Sequence, residues 1–262
     1  MSITPFKLAL IQMHVEGGDK KRNLNHAVDL IAEAAGNGAQ VALLPECLDI
    51  GWTHPSSLTE AEPIPDGLPC NALAKAAIEN KIYICGGLTE KNDDKIYNSA
   101  VIIDKNGDVK CLHRKINELN IGLEYYSVGD RLNVTQTEFG IFGLMICADA
   151  QAKDFALTKS LCQMGADIIL SPCSWAVPAD YDNIKSPYGK EWGVAYSTIS
   201  KEYSVWIAGV SNVGLITDGP WKNWKCIGSS LVIDSTGKEI TKGSYGVTAE
   251  TILYVDLRTT PP

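Results

Sequence analysis

The sequence predicts an α/β fold, and three observations lead to it. Short apolar runs alternate with segments of helical spacing along the whole chain. No Pro/Ser-rich linker or low-complexity tract interrupts that alternation, so residues 1–262 are expected to form a single domain. A strand–turn–strand pattern also occurs twice, as NSAVIIDKNGDVKCL from Asn98 and GSSLVIDSTGKEITK from Gly228. Ordinary hairpin chemistry produces such a repeat, and so do two similar halves stacked as a sandwich of two sheets.

Residues 6–12 (FKLALIQ) read as a first buried strand, because the run is apolar without the polar stripe of a surface helix. Asn23 can cap a helix that carries Leu24, Val28, Ile31 and Ala35 at helical spacing, ended by Gly36 and Gly38. Residues 41–44 form a short strand that stops at Pro45-Glu46. A carboxylate directly after a buried strand is costly unless it is paired, which marks Glu46. The turn-rich loop 51–67 has a length that in compact domains goes with function. A helix over 68–80 follows, with Pro69 in its first turn. Strands are expected over 82–89, 97–104 and 109–114, the last two joined at Asn106-Gly107, a hairpin signal.

Residues 139–150, FGIFGLMICADA, are an apolar run that gives way after Cys147 to a small residue and an acid. Leu157, Leu161 and Met164 then fall at helical spacing, so Cys147 is expected where a strand hands over to a helix. Unpaired N–H groups and a helix N-terminus favour a thiolate there, although a buried core thiol fits the same segment. Beyond it come a strand over 166–171, an aromatic loop, a helix over 191–202 and a strand over 205–211. The loop 212–225 carries Trp221 and Trp224, and the second hairpin and a strand over 251–256 lead to a Pro-terminated tail.

Composition narrows the class of function. At 45% hydrophobic and 21% charged the chain resembles ordinary soluble enzymes, and a net charge of -8 argues against nucleic-acid or anionic-membrane partners. Eight scattered cysteines without a C-x-x-C pair argue for reduced thiols. The four histidines make neither H-x-H nor H-x-x-x-H, so a structural zinc site is not expected. The N-terminus lacks a secretory-signal pattern and no stretch reaches membrane-spanning length, so a cytoplasmic location is expected.

Three polar residues end apolar strands: Glu46 after VALLP, Lys115 after VKCLHR and Cys147 after FGLMI. An acid, an ammonium and a thiol that converge on one sheet rim have a chemical logic. The carboxylate can take the thiol proton and return it to a leaving amine, while the ammonium and the Ala148 backbone N–H hold an oxyanion.

LLPECLDIGW around Glu46, HRKINEL around Lys115 and GLMICADA around Cys147 resemble, in order, the three signature segments of the carbon-nitrogen hydrolase, or nitrilase, superfamily. EYYSVGD, KEYSVWIAGVSNVG and IGSSLVIDSTGKEI extend the resemblance over nearly the whole chain. It implies a four-layer α-β-β-α sandwich, two mixed sheets flanked by helices, that forms a homodimer or larger homo-oligomer. It also implies a Glu-Lys-Cys hydrolase with no metal or other cofactor, in which Glu46 is the general base and acid, Lys115 the oxyanion cation and Cys147 the nucleophile. Glu124 would position the substrate amide or the hydrolytic water.

Departures from the family pattern bear on substrate. The nucleophile is followed by Ala148 rather than an aromatic residue, which leaves space beside the sulfur and favours an amidase over a nitrilase. None of the four arginines falls in the pocket loops, so the carboxylate clamp of carbamoyl amino acid hydrolases has no counterpart there. Those loops carry Trp52, Trp175, Tyr181, Tyr188, Trp192, Trp221 and Trp224 with Asp180, Asp182, Glu191 and Asp218, a rim suited to a neutral or amine-bearing amide. Trp52, Tyr125, Asp149 and Trp175 are the expected substrate contacts. The expected function is therefore hydrolysis of a small-molecule amide through a Cys147 thioester. The alternatives are an N-carbamoyl hydrolase or a nitrilase with the same triad, and a non-catalytic binding relative.

Overall fold

Every residue of the first strand is buried or nearly so, and its two faces enter different cores. In the computed structural model, which describes residues 4–258, Leu8 and Leu10 join one apolar cluster while Ala9 and Ile11 join another. Period-two alternation with both faces covered is the reason FKLALIQ is a continuous apolar run.

The elements in chain order are β1 (Phe6–Gln12), α1 (Lys20–Gly36), β2 (Val41–Leu43), α2 (Ser57–Glu60), α3 (Leu68–Asn80), β3 (Tyr83–Asn92), β4 (Lys95–Ile103) and β5 (Val109–Arg114). They continue as β6 (Val134–Thr137), β7 (Gly140–Leu144), α4 (Ala156–Gln163), β8 (Ile168–Cys173), β9 (Ala176–Val177), α5 (Lys190–Tyr203) and β10 (Trp206–Ser211). The last are β11 (Val213–Leu215), β12 (Lys225–Ile227), β13 (Leu231–Ile233), β14 (Glu239–Lys242) and β15 (Thr251–Leu257). The Pro-terminated tail lies outside the described residues.

Two six-stranded mixed sheets run β15-β1-β2-β3-β4-β5 and β14-β13-β10-β8-β7-β6. Each has a parallel core, β1-β2-β3 in one and β7-β8-β10 in the other, flanked by antiparallel strands. The repeated motif of the sequence forms hairpin β4-β5 in the first sheet and β13-β14 in the second, each at a sheet edge. The echo thus marks equivalent places in two similar halves.

The layers follow from the clusters. Leu24, Ala27 and Ile31 of α1 and Leu73 and Ala77 of α3 cover the Ala9/Ile11 face of the first sheet. Leu8, Leu10 and Leu43 share the other cluster with Leu144, Ile169 and Val210 of the second sheet, while Leu161 of α4 and Ala195 and Ile199 of α5 belong to it as well. The result is an α-β-β-α sandwich of two mixed sheets. Among the described residues no helix is long and apolar enough to cross a membrane.

Local boundaries differ from expectation for identifiable reasons. Asp19, not Asn23, caps α1, its carboxylate accepting the Arg22 N–H at 3.1 Å. Asn23 is buried in the first turn, donating to the carbonyls of Glu16 at 2.8 Å and Asp49 at 2.9 Å. The run 139–150 does not continue as a strand to Cys147: β7 ends at Leu144, and a short 3-10 helix begins at Cys147. Expected loops also hold β6, whose VTQT alternation is too polar to stand out, and the small sheet β11-β12-β9.

Candidate active site

Glu46 follows β2, and its N–H donates to the Cys173 carbonyl at the end of β8 at 3.2 Å, so the acid sits where the two sheets meet. Gly87 of β3 allows this: a Cβ there would come within 2.5 Å of Glu46 Cα and 2.9 Å of Cys47 N. Lys115 follows β5 and is held by its N–H donating to the Asn98 carbonyl at 2.9 Å. Cys147 opens the 3-10 helix Cys147–Gln151 at φ 45°, a left-handed conformation that costs a β-carbon-bearing residue about 1–3 kcal/mol. Its N–H donates to Ser171 Oγ at 3.2 Å. Ala148 stands next to it in the first turn, where N–H groups have no partner inside the helix.

All three side chains line one cavity of about 190 Å³, below the ~300–1,000 Å³ of drug-sized ligand sites. A larger hollow of about 500 Å³ between β5 and β6 contains none of the three. Lys115 Nζ donates to Glu46 Oε1 at 2.7 Å, and both side chains are almost fully buried. Asn98 Nδ2 donates to the same oxygen at 2.6 Å. Among the described residues no donor bonds to Glu46 Oε2.

Burial by itself lowers the Lys115 pKa, but the carboxylates of Glu46 and Glu118 outweigh it and hold the ammonium charged, well above its usual value. The Cys147 thiol is pushed far up by its hydrogen-bond contact with Cys173, by burial and by Glu46, against the opposing pull of Lys115. A sulfur held in that direction needs a neighbouring base to take its proton before it can act as a nucleophile.

Glu124 does not share this cavity. It is exposed at the end of the 3-10 helix Gly122–Glu124, turned out because Gly122 rather than the acid fills the interior position of that turn. The carboxylate beside Lys115 is Glu118, with Oε1 at 3.6 Å from Nζ, accepting from Trp52 Nε1 at 3.2 Å and from Asn98 Nδ2 at 3.5 Å. Burial raises the Glu118 pKa, partly offset by Lys115. Glu118 and Asn98 were missed although both stand inside quoted motifs, HRKINEL and NSAVIID. An acid three residues after the lysine was the available signal.

Asp149 does not line this cavity either. Fully buried, it accepts from Ile116 N at 3.0 Å and Asn117 N at 2.7 Å on Oδ1, and from His113 Nε2 at 2.8 Å and Ile146 N at 2.9 Å on Oδ2. It clamps the segment after Lys115 to the turn before Cys147. Tyr125 packs in an aromatic cluster with Trp52 and Trp221, outside the lining.

Trp52 and Trp175 do line the cavity, together with Tyr188, Trp192 and Trp221. Tyr181 and Trp224 stand behind that wall, stacked edge-on against Tyr188 and face-on against Trp221, and Asp180, Asp182 and Asp218 lie outside it. Among the described residues no group of three or more His, Cys, Asp or Glu side chains is placed to hold a metal ion.

A family model described as carbon-nitrogen hydrolase matches residues 7–260. The omega-amidase NIT2 of Mus musculus is 29% identical over 265 residues, 97% of this chain and 89% of its own. The chloroplastic omega-amidase of Arabidopsis thaliana is 31% identical over 194 residues, 66% of this chain. The chain spans about half the length of two curated relatives, 52% of that protein and 54% of a Schizosaccharomyces pombe hydrolase. Among solved structures, Saccharomyces cerevisiae Nit3, a member of branch 10 of the nitrilase superfamily, matches with a TM-score of 0.82 at 24% identity, over 97% of this chain and 90% of its own.

Proposed function

The chain belongs to the carbon-nitrogen hydrolase family, and from that premise we propose that it hydrolyses the amide bond of a small, non-peptide molecule through a thioester on Cys147. The observation that carries the reading is the buried contact of Lys115 Nζ with Glu46 Oε1 at 2.7 Å in the cavity that also holds the Cys147 thiol. The omega-amidases among its relatives support amide chemistry, and among the described residues no arginine lines the cavity to clamp a carbamoyl amino acid.

The reaction runs in two halves. Glu46 Oε2 takes the thiol proton as sulfur attacks the amide carbon, and the carbonyl oxygen becomes an oxyanion beside the Lys115 ammonium and the Ala148 N–H. Collapse breaks the C–N bond, the proton on Glu46 passes to the leaving nitrogen, and ammonia or an amine departs from a thioester. Water then gives a proton to Glu46 and attacks the thioester carbon. The second collapse releases the acid and returns the proton to sulfur. Glu118, held by Trp52 and Asn98, keeps a second carboxylate against Lys115, so the ammonium stays charged through both halves.

Ammonia release from a panel of simple amides, carbamoyl compounds and nitriles tests the reading, with Cys147→Ala as control. We expect amides to be the best substrates, an acyl adduct on Cys147 in the intact-mass spectrum, and no turnover by the folded Cys147→Ala variant. Undiminished turnover by that variant removes the thioester, and rapid acylation of Glu46→Gln removes the base role.

A further inference from the structure

We infer that the cavity selects amides whose acyl chain ends in a cation, an ammonium or alkylammonium, and rejects those whose chain ends in a carboxylate. The inference rests on the amidase reading above and adds the substrate class to it.

The charge of the lining is the first ground. Lys115 is the one cation among the described lining residues, and its ammonium is already shared between Glu46 at 2.7 Å and Glu118 at 3.6 Å. An acyl carboxylate would enter beside two carboxylates with no free cation to meet it, an unpaired like charge of the kind that discriminates against a ligand. Lys242 comes near the wall but is outside the lining, its Nζ donating to the Tyr188 carbonyl at 3.2 Å. The chain's net charge of -8 adds a long-range field that favours cations.

The walls are the second ground. Trp175 stacks on Trp192 with centroids 5.1 Å apart and has Tyr188 at 6.4 Å, while Trp52 meets Trp221 edge-on at 5.0 Å. Trp52 already has the Lys115 ammonium 5.4 Å from its ring centroid, and Trp221 has Trp224 stacked on one face, so Trp175, Tyr188 and Trp192 are the lining rings left to attract a desolvated cation through the ring quadrupole. Glu191, exposed in the first turn of α5, is part of the lining and brings a carboxylate to the cavity. A carboxylate beside aromatic rings is a counter-charge for an ammonium. For a second carboxylate it is a barrier.

Three amides with four-carbon acyl chains test this: butanamide, 4-aminobutanamide and succinamate, compared by kcat/KM for ammonia release. We expect 4-aminobutanamide to exceed butanamide at least tenfold and succinamate to fall at least tenfold below it. In Glu191→Gln the ratio of 4-aminobutanamide to butanamide should drop at least fivefold, and in Glu191→Lys the ratio of succinamate to butanamide should rise. Glu191 is exposed, so these variants should keep the wild-type melting temperature. Turnover with succinamate ahead of butanamide, or a ratio unmoved by Glu191→Gln, overturns the inference and leaves the amidase reading intact. Absence of turnover and of a Cys147 adduct with all three amides overturns both.

Discussion

Replacing Asp149 by Asn removes one negative charge and one acceptor from the clamp that joins the lysine segment to the cysteine turn. The carboxylate accepts four hydrogen bonds, two on each oxygen. An asparagine oxygen can keep those from Ile116 and Asn117, though each is weaker without the charge, by about 1 kcal/mol. Its NH2 can donate to His113 Nε2 if the ring keeps its proton on Nδ1, which faces the Arg131 carbonyl at 3.3 Å. The Ile146 N–H has no such way out. It is left facing an NH2, an orphaned buried donor worth about 1–3 kcal/mol.

The total, about 3–5 kcal/mol, is a large part of the ~5–15 kcal/mol of a typical domain. With a urea m-value of about 3 kcal/mol/M, the unfolding midpoint should fall by about 1–1.7 M. Because the lost bonds flank Lys115 and Cys147, kcat should fall as well, by about tenfold or more in the fraction that stays folded. Burial alone raises the Asp149 pKa, but His113 and the N–H groups of Asn117 and Ile146 outweigh it and hold the carboxyl below its ordinary 3.8. The wild type therefore holds this stabilisation above about pH 4 and loses it as the pH falls through the depressed value, whereas the variant lacks it throughout. A urea midpoint within 0.3 M of wild type (the resolution of a ~1 kcal/mol change) together with unchanged kcat/KM would refute the clamp.

Three further outcomes are expected. Gly87→Ala should lower stability by about 1–3 kcal/mol and kcat by more than about tenfold, because the new methyl meets backbone at Glu46 that cannot rotate aside; wild-type activity in the purified variant would contradict the close approach. Glu118→Gln should keep the Trp52 hydrogen bond but lose the charge, lowering kcat/KM at least about tenfold, while Glu124→Gln should leave it within about twofold; the reverse order would restore Glu124 to the site. Asp49 is buried, and desolvation raises its pKa from 3.8 to about 6. The folded state thus binds its proton more tightly, and stability should decline by about 3 kcal/mol between pH 4 and 6, a slope that Asp49→Asn should flatten in thermal melts. Parallel pH profiles for the two proteins would show that Asp49 is not the cause.

Buried strands are legible because both of their faces need apolar side chains, so the runs ending at Glu46, Lys115 and Cys147 stand out together with the polar residue that closes each one. The paired hairpins were legible for a similar reason, since Asp and Gly at fixed turn positions are a local requirement. What lies one step beyond a strand end was not. Glu118 and Glu124 are both acids in the loop after Lys115, and nothing within that loop says which turns inward. Trp52, 66 residues away in the chain, and Asn98, in another strand, decide it by offering donors to one and not the other. Asp149, adjacent to the pocket in sequence, points away from it because four donors from residues 113–117 and 146 outbid solvent for its carboxylate. Local patterning determined where the chemistry-bearing residues stand along the backbone. Only the tertiary structure decided which of them face one another, because a buried polar group goes where its partners are, and those partners are remote in sequence.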